Sequence, residues 1–176
     1  MPKEVTRPTT DRVREALFSI LGQRVVDARV LDLFAGSGAL GIEALSRGAL
    51  EAIFVEYRAA ACAVIESNLA RTGLEGGSVL CTEVDAFFKR RGGHSWSLVF
   101  ADPPYRKGGK GVGDPDPAAD LLRVARLRER VEEGWLLVLE SASEAGELET
   151  GSLWTLADER VYGGTRISLL SPAEFS

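Results

Sequence analysis

From residue 30 to residue 141 the chain repeats one unit: a short apolar run, a glycine-rich or polar break, and a stretch of helical period. The units are VLDLF (30–34) with a helix near 39–48, AIFVE (52–56) with a helix near 58–72, SVLCT (78–82) with VDAFFKR, and SLVFAD (97–102). Apolar runs this short are strands buried on both faces. Strands separated by helices lie parallel, joined by right-handed crossovers that coat both faces of a sheet. After a glycine-rich stretch (107–114), Asp116-Pro117 opens another helix, with proline near its first position, and WLLVLES (135–141) follows as a strand. The end breaks the pattern, because LWTLADERVY and TRISLLS flank Gly163-Gly164 as a tight antiparallel hairpin. At the other end, Val13, Leu17, Ile20 and Leu21 recur with helical period after Thr10-Asp11, giving a helical element at about 9–23. The expectation is an α/β fold: a doubly wound, mostly parallel seven-stranded sheet with a C-terminal antiparallel hairpin, residues 1–176 forming one domain.

No window is apolar enough to span a bilayer, and MPKEVTRPTTDR lacks the apolar core of a signal peptide. Cys62 and Cys81 lack the spacing of a zinc site or a disulfide framework. A cytoplasmic protein with no membrane association and no metal is expected. The formal charge of −5 disfavours a protein that coats nucleic acid indiscriminately. The charge is uneven, however: residues 1–110 hold 15 Lys+Arg against 13 Asp+Glu (net +2), and the remainder 6 against 13 (net −7). Arg12 and Arg14 stand in the first turn of the first helix, where cations oppose the helix dipole, so contact with a phosphate is a reason for their presence.

Between the first strand and its helix lies DLFAGSGALG, in which Gly36, Gly38 and Gly41 form GxGxxG, with Glu56 ending the second strand. That spacing suits a nucleotide: glycines admit a ligand to the backbone, and an acid about 20 residues on takes ribose hydroxyls. Asp32 separates two cofactors. A carboxylate beside the loop repels a pyrophosphate and attracts a cation, which favours S-adenosylmethionine, with its sulfonium and ammonium, over a dinucleotide. Asp32 then meets the ammonium, Phe34, Ala35, Gly36, Ser37 and Gly38 line the methionine moiety, and Glu56 takes both ribose hydroxyls. Asp85 and Ala86, after the third strand, are placed to meet adenine, with N-capping of the following helix the alternative for Asp85. The terminal hairpin agrees, being similar to the sheet of the Rossmann-like class I methyltransferases.

At the end of the fourth strand, Asp102-Pro103-Pro104-Tyr105 stops the sheet with a carboxylate and two residues lacking an N–H. Ligands of open parallel sheets lie where strand order reverses, here expected between the first and fourth strands, so this corner should face the glycine loop. An exocyclic amine on a ring has a delocalised lone pair. The Asp102 carboxylate and the Pro103 carbonyl can each accept one amine hydrogen and aim that pair, while Tyr105 offers a stacking face. Trp96, Trp135 and Trp154, at strand starts, read as packing residues, and His94 as a loop residue.

RPTTDRVREALFSIL (7–21), LDLFAGSGALGIEALSRGA (31–49), FVE (54–56) and DPPY (102–105), in this order and spacing, resemble the RsmD family of small-subunit ribosomal RNA guanine methyltransferases. The resemblance implies methylation of the exocyclic amino group of a guanine in 16S rRNA, within a small-subunit ribonucleoprotein particle, with S-adenosylmethionine as donor. It also brings Thr9, Thr10 and Arg12 to the pocket mouth; Arg14, beside Arg12 in the first helical turn, and Arg106, in the basic group after Tyr105, are expected as further RNA contacts. The family pattern has a basic hairpin ahead of this element, where here six residues precede Arg7. Three alternatives remain open: an amino-methyltransferase acting on DNA adenine or protein glutamine, a nicotinamide-dependent oxidoreductase, and a non-catalytic RNA-binding factor.

Overall fold

The computed structural model describes residues 11–90, 95–103, 121, 131–144, 148, 150 and 153–173, with the backbone alone for 131–134. One sheet contains β1 (Arg29–Leu33), β2 (Glu51–Glu56), β3 (Gly77–Cys81), β4 (Trp96–Ala101), β5 (Val131–Ala142), β6 (Trp154–Tyr162) and β7 (Thr165–Pro172), in the spatial order β3-β2-β1-β4-β5-β7-β6. Pairings from β3 through β5 are parallel, and those of β7 with β5 and β6 are antiparallel. The chain therefore builds outward from β1 to β3, returns to place β4 on the other side of β1, and inserts its last strand antiparallel. Strand order reverses between β1 and β4.

Alternation along the strands sends successive side chains to opposite faces. Val30, Ala52, Phe54, Leu98, Phe100, Leu136, Val138, Ile167 and Leu169 share one face with Val13, Leu17, Phe18 and Leu21 of α1 (Asp11–Leu21), with α2 (Ala39–Ser46) through Ala44 and Leu45, and with α3 (Ala59–Thr72) through Ile65. Leu31, Leu33, Val55, Val99, Ala101, Leu137 and Leu139 occupy the other face with Phe87 and Phe88 of α4 (Val84–Lys89) and with Leu121. Covering both faces is what makes the strands continuous apolar runs. Each large side chain so buried contributes roughly 1.5–3 kcal/mol.

The three tryptophans pack as expected. Trp96, Trp135 and Trp154 are all buried, and the rings of Trp135 and Trp154 meet edge to face at 5.0 Å. The hairpin closes at the Tyr162–Thr165 pair, with Gly163 at φ +59, a conformation that side chains disfavour.

Two features differ from the sequence reading. A 3₁₀ turn, Gly22–Val25, follows α1. β5 also starts four residues before Trp135, because Val131 pairs with Trp96 while the next pair is Leu98 with Leu136. VEEG shows no apolar alternation, so its pairing rests on the neighbouring strand and not on local pattern. Leu121 is helical, in the segment where a helix was expected; Asp116, Pro117 and His94 lie outside the described residues. Among the described residues, no helix is long and apolar enough to cross a membrane, and no group of three or more His, Cys, Asp and Glu is arranged to hold a metal.

Candidate active site

Past Leu33 the backbone turns through three left-handed residues: Phe34 at φ +59, Gly36 at +56 and Gly38 at +76. Ala35 N–H donates to the Val55 carbonyl (3.1 Å) and Gly38 N–H to that of Ala35 (2.7 Å), which ties the loop to β2 and delivers it into α2. A Cβ on Gly36 would meet nothing closer than the Phe34 carbonyl at 3.9 Å. Glycine is required there by the backbone, and the space beside it is open to a ligand. Gly41 has the opposite reason: a Cβ would run into the Phe54 ring. This close approach of helix to strand lets Gly41 N–H donate to Asp32 Oδ2 at 2.9 Å.

Phe34 is a non-glycine residue in a conformation that costs such residues about 1 kcal/mol or more. By strand alternation its ring would share a face with Asp32. It instead packs with the opposite cluster of Leu31 and Leu33. The strained turn thus clears the crevice of a large ring, an effect that alternation alone does not reveal. Of the residues expected along the methionine moiety, Phe34 touches the core, Ala35 packs partly against it, and the Ser37 carbonyl accepts from Asn68 Nδ2 at 3.1 Å.

Carboxylates crowd this crevice. Asp32 and Glu56 are each 3% exposed. Burial pushes the Asp32 pKa up to about 8; the Gly41 N–H opposes that shift, and repulsion from Asp102 and Glu56 adds to it. Glu56 Oε2 accepts from Gly36 N–H (2.9 Å), and its Oε1 accepts from the backbone N–H (2.9 Å) and Nε (3.1 Å) of Arg58. Three of the roughly four acceptor positions of a carboxylate are thereby filled. Taking two ribose hydroxyls requires the half-exposed Arg58 side chain to swing aside. Arg58 and Asn68 were not foreseen as part of the site. Arg58 stands two residues past Glu56, which is a usable signal; nothing local marks Asn68.

The Leu33–Ala101 pair brings β4 alongside β1, so Asp102 emerges one residue beyond it, at the same end of the sheet as the glycine loop. Asp102 is half-buried and Pro103 buried. Glycine loop and proline corner therefore share the carboxyl end of adjacent strands, at the point where strand order reverses. Asp85 and Ala86 are exposed in the first turn of α4, whose capping position is Glu83, so Asp85 does not cap that helix. They follow β3, whose Cys81 pairs with Glu56, on the same edge of the sheet. At the start of α1, Arg12 is exposed, whereas Arg14 pairs with Asp11 (2.8 Å) and approaches Glu43 (3.7 Å). Thr9, Thr10, Pro104, Tyr105 and Arg106 lie outside the described residues.

An open backbone loop beside Asp32, Glu56 and Asp102 suits a cation, which can draw the proton from Asp32, better than a phosphate. Comparison with known proteins points the same way. The family described as Conserved hypothetical protein 95 matches residues 1–171. The chain is 38% identical over 162 residues to the ribosomal RNA small subunit methyltransferase D of Escherichia coli, covering 89% of this chain and 75% of that protein. Among solved structures, the Escherichia coli methyltransferase candidate yhhF superposes with a TM-score of 0.80 at 34% identity, covering 94% of this chain and 88% of that one. A 16S rRNA N2 methyltransferase of Thermus thermophilus, RsmC, solved with AdoMet and guanosine, superposes at 0.73 with 23% identity over 97% of this chain and 45% of its own, a likeness of fold. The chain therefore belongs to the RsmD family of small-subunit ribosomal RNA methyltransferases.

Proposed function

We propose that this protein transfers a methyl group from S-adenosylmethionine to the exocyclic amino group of a guanine in 16S ribosomal RNA, presented by a small-subunit ribonucleoprotein particle. One observation carries the reading: the carboxylate-ringed glycine loop and the Asp102-Pro103 corner open on one crevice between β1 and β4. The donor, when bound, supplies an electrophilic methyl on a positively charged sulfur. Asp32 and the loop backbone hold its amino-acid end, Glu56 its ribose, and Asp85 with Ala86 border the adenine. A dinucleotide would bring two phosphate charges toward Glu56 and Asp102 and offers no cation to draw the proton from Asp32.

On the acceptor side, Asp102 and the Pro103 carbonyl accept the two amine hydrogens, so the nitrogen pyramidalises and its lone pair points across the crevice. Positioning of this kind lowers a barrier by several kcal/mol. Pro103 keeps Asp102 out of helical geometry, and the prolines present no N–H to compete for the acceptors. After transfer the nitrogen is strongly acidic, and Asp102 or water removes its proton. Tyr105 supplies a face for the base, and Thr9, Thr10, Arg12 and Arg106 meet the RNA around it. The relatives' action on small-subunit ribosomal RNA supports the substrate class.

Asp102→Ala should keep its calorimetric affinity for S-adenosylmethionine while methyl transfer falls by roughly 10²-fold or more. Undiminished turnover in that variant would remove Asp102 from the chemistry. Mapping methyl groups on ribosomal RNA from cells with and without the protein identifies the guanine; an unchanged 16S map overturns the substrate.

A further inference from the structure

The peptide that joins Ser37 to Gly38 is held at both ends. Its N–H, that of Gly38, donates to the Ala35 carbonyl at 2.7 Å, and its carbonyl, that of Ser37, accepts from Asn68 Nδ2 at 3.1 Å. The first bond closes the turn that carries Gly36 at φ +56, beside which the loop is open. The second comes from α3, 31 residues further along the chain. Gly38 is the weak point between them. It stands at φ +76, and a Cβ there would lie 3.0 Å from Ile65 Cγ2, so backbone and packing both demand glycine. Glycine, however, takes positive and negative φ about equally well. Turning this peptide over changes only the ψ of Ser37 and the φ of Gly38, and Ser37 is exposed, so sterics offer little resistance. Hydrogen bonding is what opposes the flip, because a turned peptide gives up both bonds at once.

We propose that Asn68 is a positioning residue: by holding the Ser37 carbonyl against α3 it keeps the Ser37–Gly38 peptide from turning over, and so keeps the loop in the backbone state that receives the methionine end of S-adenosylmethionine. This rests on S-adenosylmethionine being the cofactor. Asn68 acts through the Ser37 carbonyl, and its effect is one of population. A ligand that needs one loop state binds more weakly in proportion to the molecules that have left that state. Once the cofactor is bound the loop is already in place, and the methyl-transfer step proceeds as before.

The test combines calorimetry with S-adenosylmethionine and hydrogen exchange at the Gly38 amide, both on the full chain. Asn68→Ala removes the donor and should weaken affinity by roughly 2- to 10-fold, the worth of one hydrogen bond. Exchange at Gly38 in the protein alone should quicken by a similar factor, while kcat at saturating S-adenosylmethionine and Tm stay near wild type. Asn68→Asp keeps the shape but sets a carboxylate against the carbonyl, so it should quicken Gly38 exchange at least as much as Asn68→Ala; a role in packing alone would leave that rate at the wild-type value. Asn68 does not hold the loop if Asn68→Ala leaves either the affinity or Gly38 exchange unchanged, if Asn68→Asp exchanges like wild type, or if kcat falls with affinity intact. Absence of S-adenosylmethionine binding by the wild type overturns the cofactor reading itself, and the part assigned to Asn68 with it.

Discussion

Asp32 holds a proton at neutral pH in the protein alone, because burial and the neighbouring Asp102 and Glu56 raise its pKa from an ordinary 3.8 to about 8. In the unfolded chain that proton is lost near pH 4. The native state therefore binds more protons between about pH 4 and 8, and stability falls as pH rises through that window, levelling above it. Asp32→Asn should remove this dependence: its Tm should exceed that of wild type by about 2–4 °C for each kcal/mol relieved at pH 8, with the difference vanishing toward pH 4. A bound cation reverses the preference and expels the proton. Affinity of wild type for S-adenosylmethionine should rise by up to tenfold per pH unit between about pH 6 and 8. Calorimetry in buffers of different ionisation enthalpy should show up to one proton released, and none for Asp32→Asn, whose affinity is low throughout. The glycines separate by cause as well. Gly41→Ala drives a methyl into the Phe54 ring and should cost about 1–3 kcal/mol in denaturant unfolding. Gly36→Ala meets open space, so its cost is the left-handed backbone, about 1 kcal/mol, together with lost cofactor affinity.

Helix α1 shows why two arginines in one turn are not equivalent. Both oppose the helix dipole, yet Arg14 is held by Asp11 and Glu43, while Arg12 is exposed. Arg14→Glu gains roughly 0.3–1 kcal/mol from the dipole but loses two ion pairs and sets three acids together, for a net loss on the order of 0.5–1 kcal/mol. Arg12→Glu should leave Tm unchanged or slightly raised and weaken capture of the ribosomal particle several-fold. Filter binding and thermal melts of the two variants distinguish them, and equal effects on RNA binding would assign Arg14 a contact that its ion pairs do not suggest. The sequence alone presents the two residues alike, because ion pairing to Glu43 depends on how α1 lies across α2. The same limit applied to β5, where VEEG gives no periodic sign of strand, and to Phe34, whose ring leaves the face that alternation assigns it.

Across the whole molecule, a formal charge of −5 leaves no net excess of cations to displace counterions from RNA, although the 21 Lys and Arg are unevenly spread. Binding to the small-subunit particle should weaken with salt at a slope of only about −1 to −3 in log K against log [salt], measured from 50 to 200 mM; a much steeper slope would point to a broad phosphate-binding face. The sheet, its seven strands, the antiparallel ending and the motifs at two strand ends were legible in order along the chain, because apolar runs, glycine loops and proline stops are local patterns imposed by backbone sterics and burial. Which strands become neighbours is not a local property. The rule for open parallel sheets anticipated the meeting of the first and fourth strands, but only the tertiary structure brought Glu56 and Asp102 close enough to Asp32 to shift its charge, because that depends on distances that chain order does not contain.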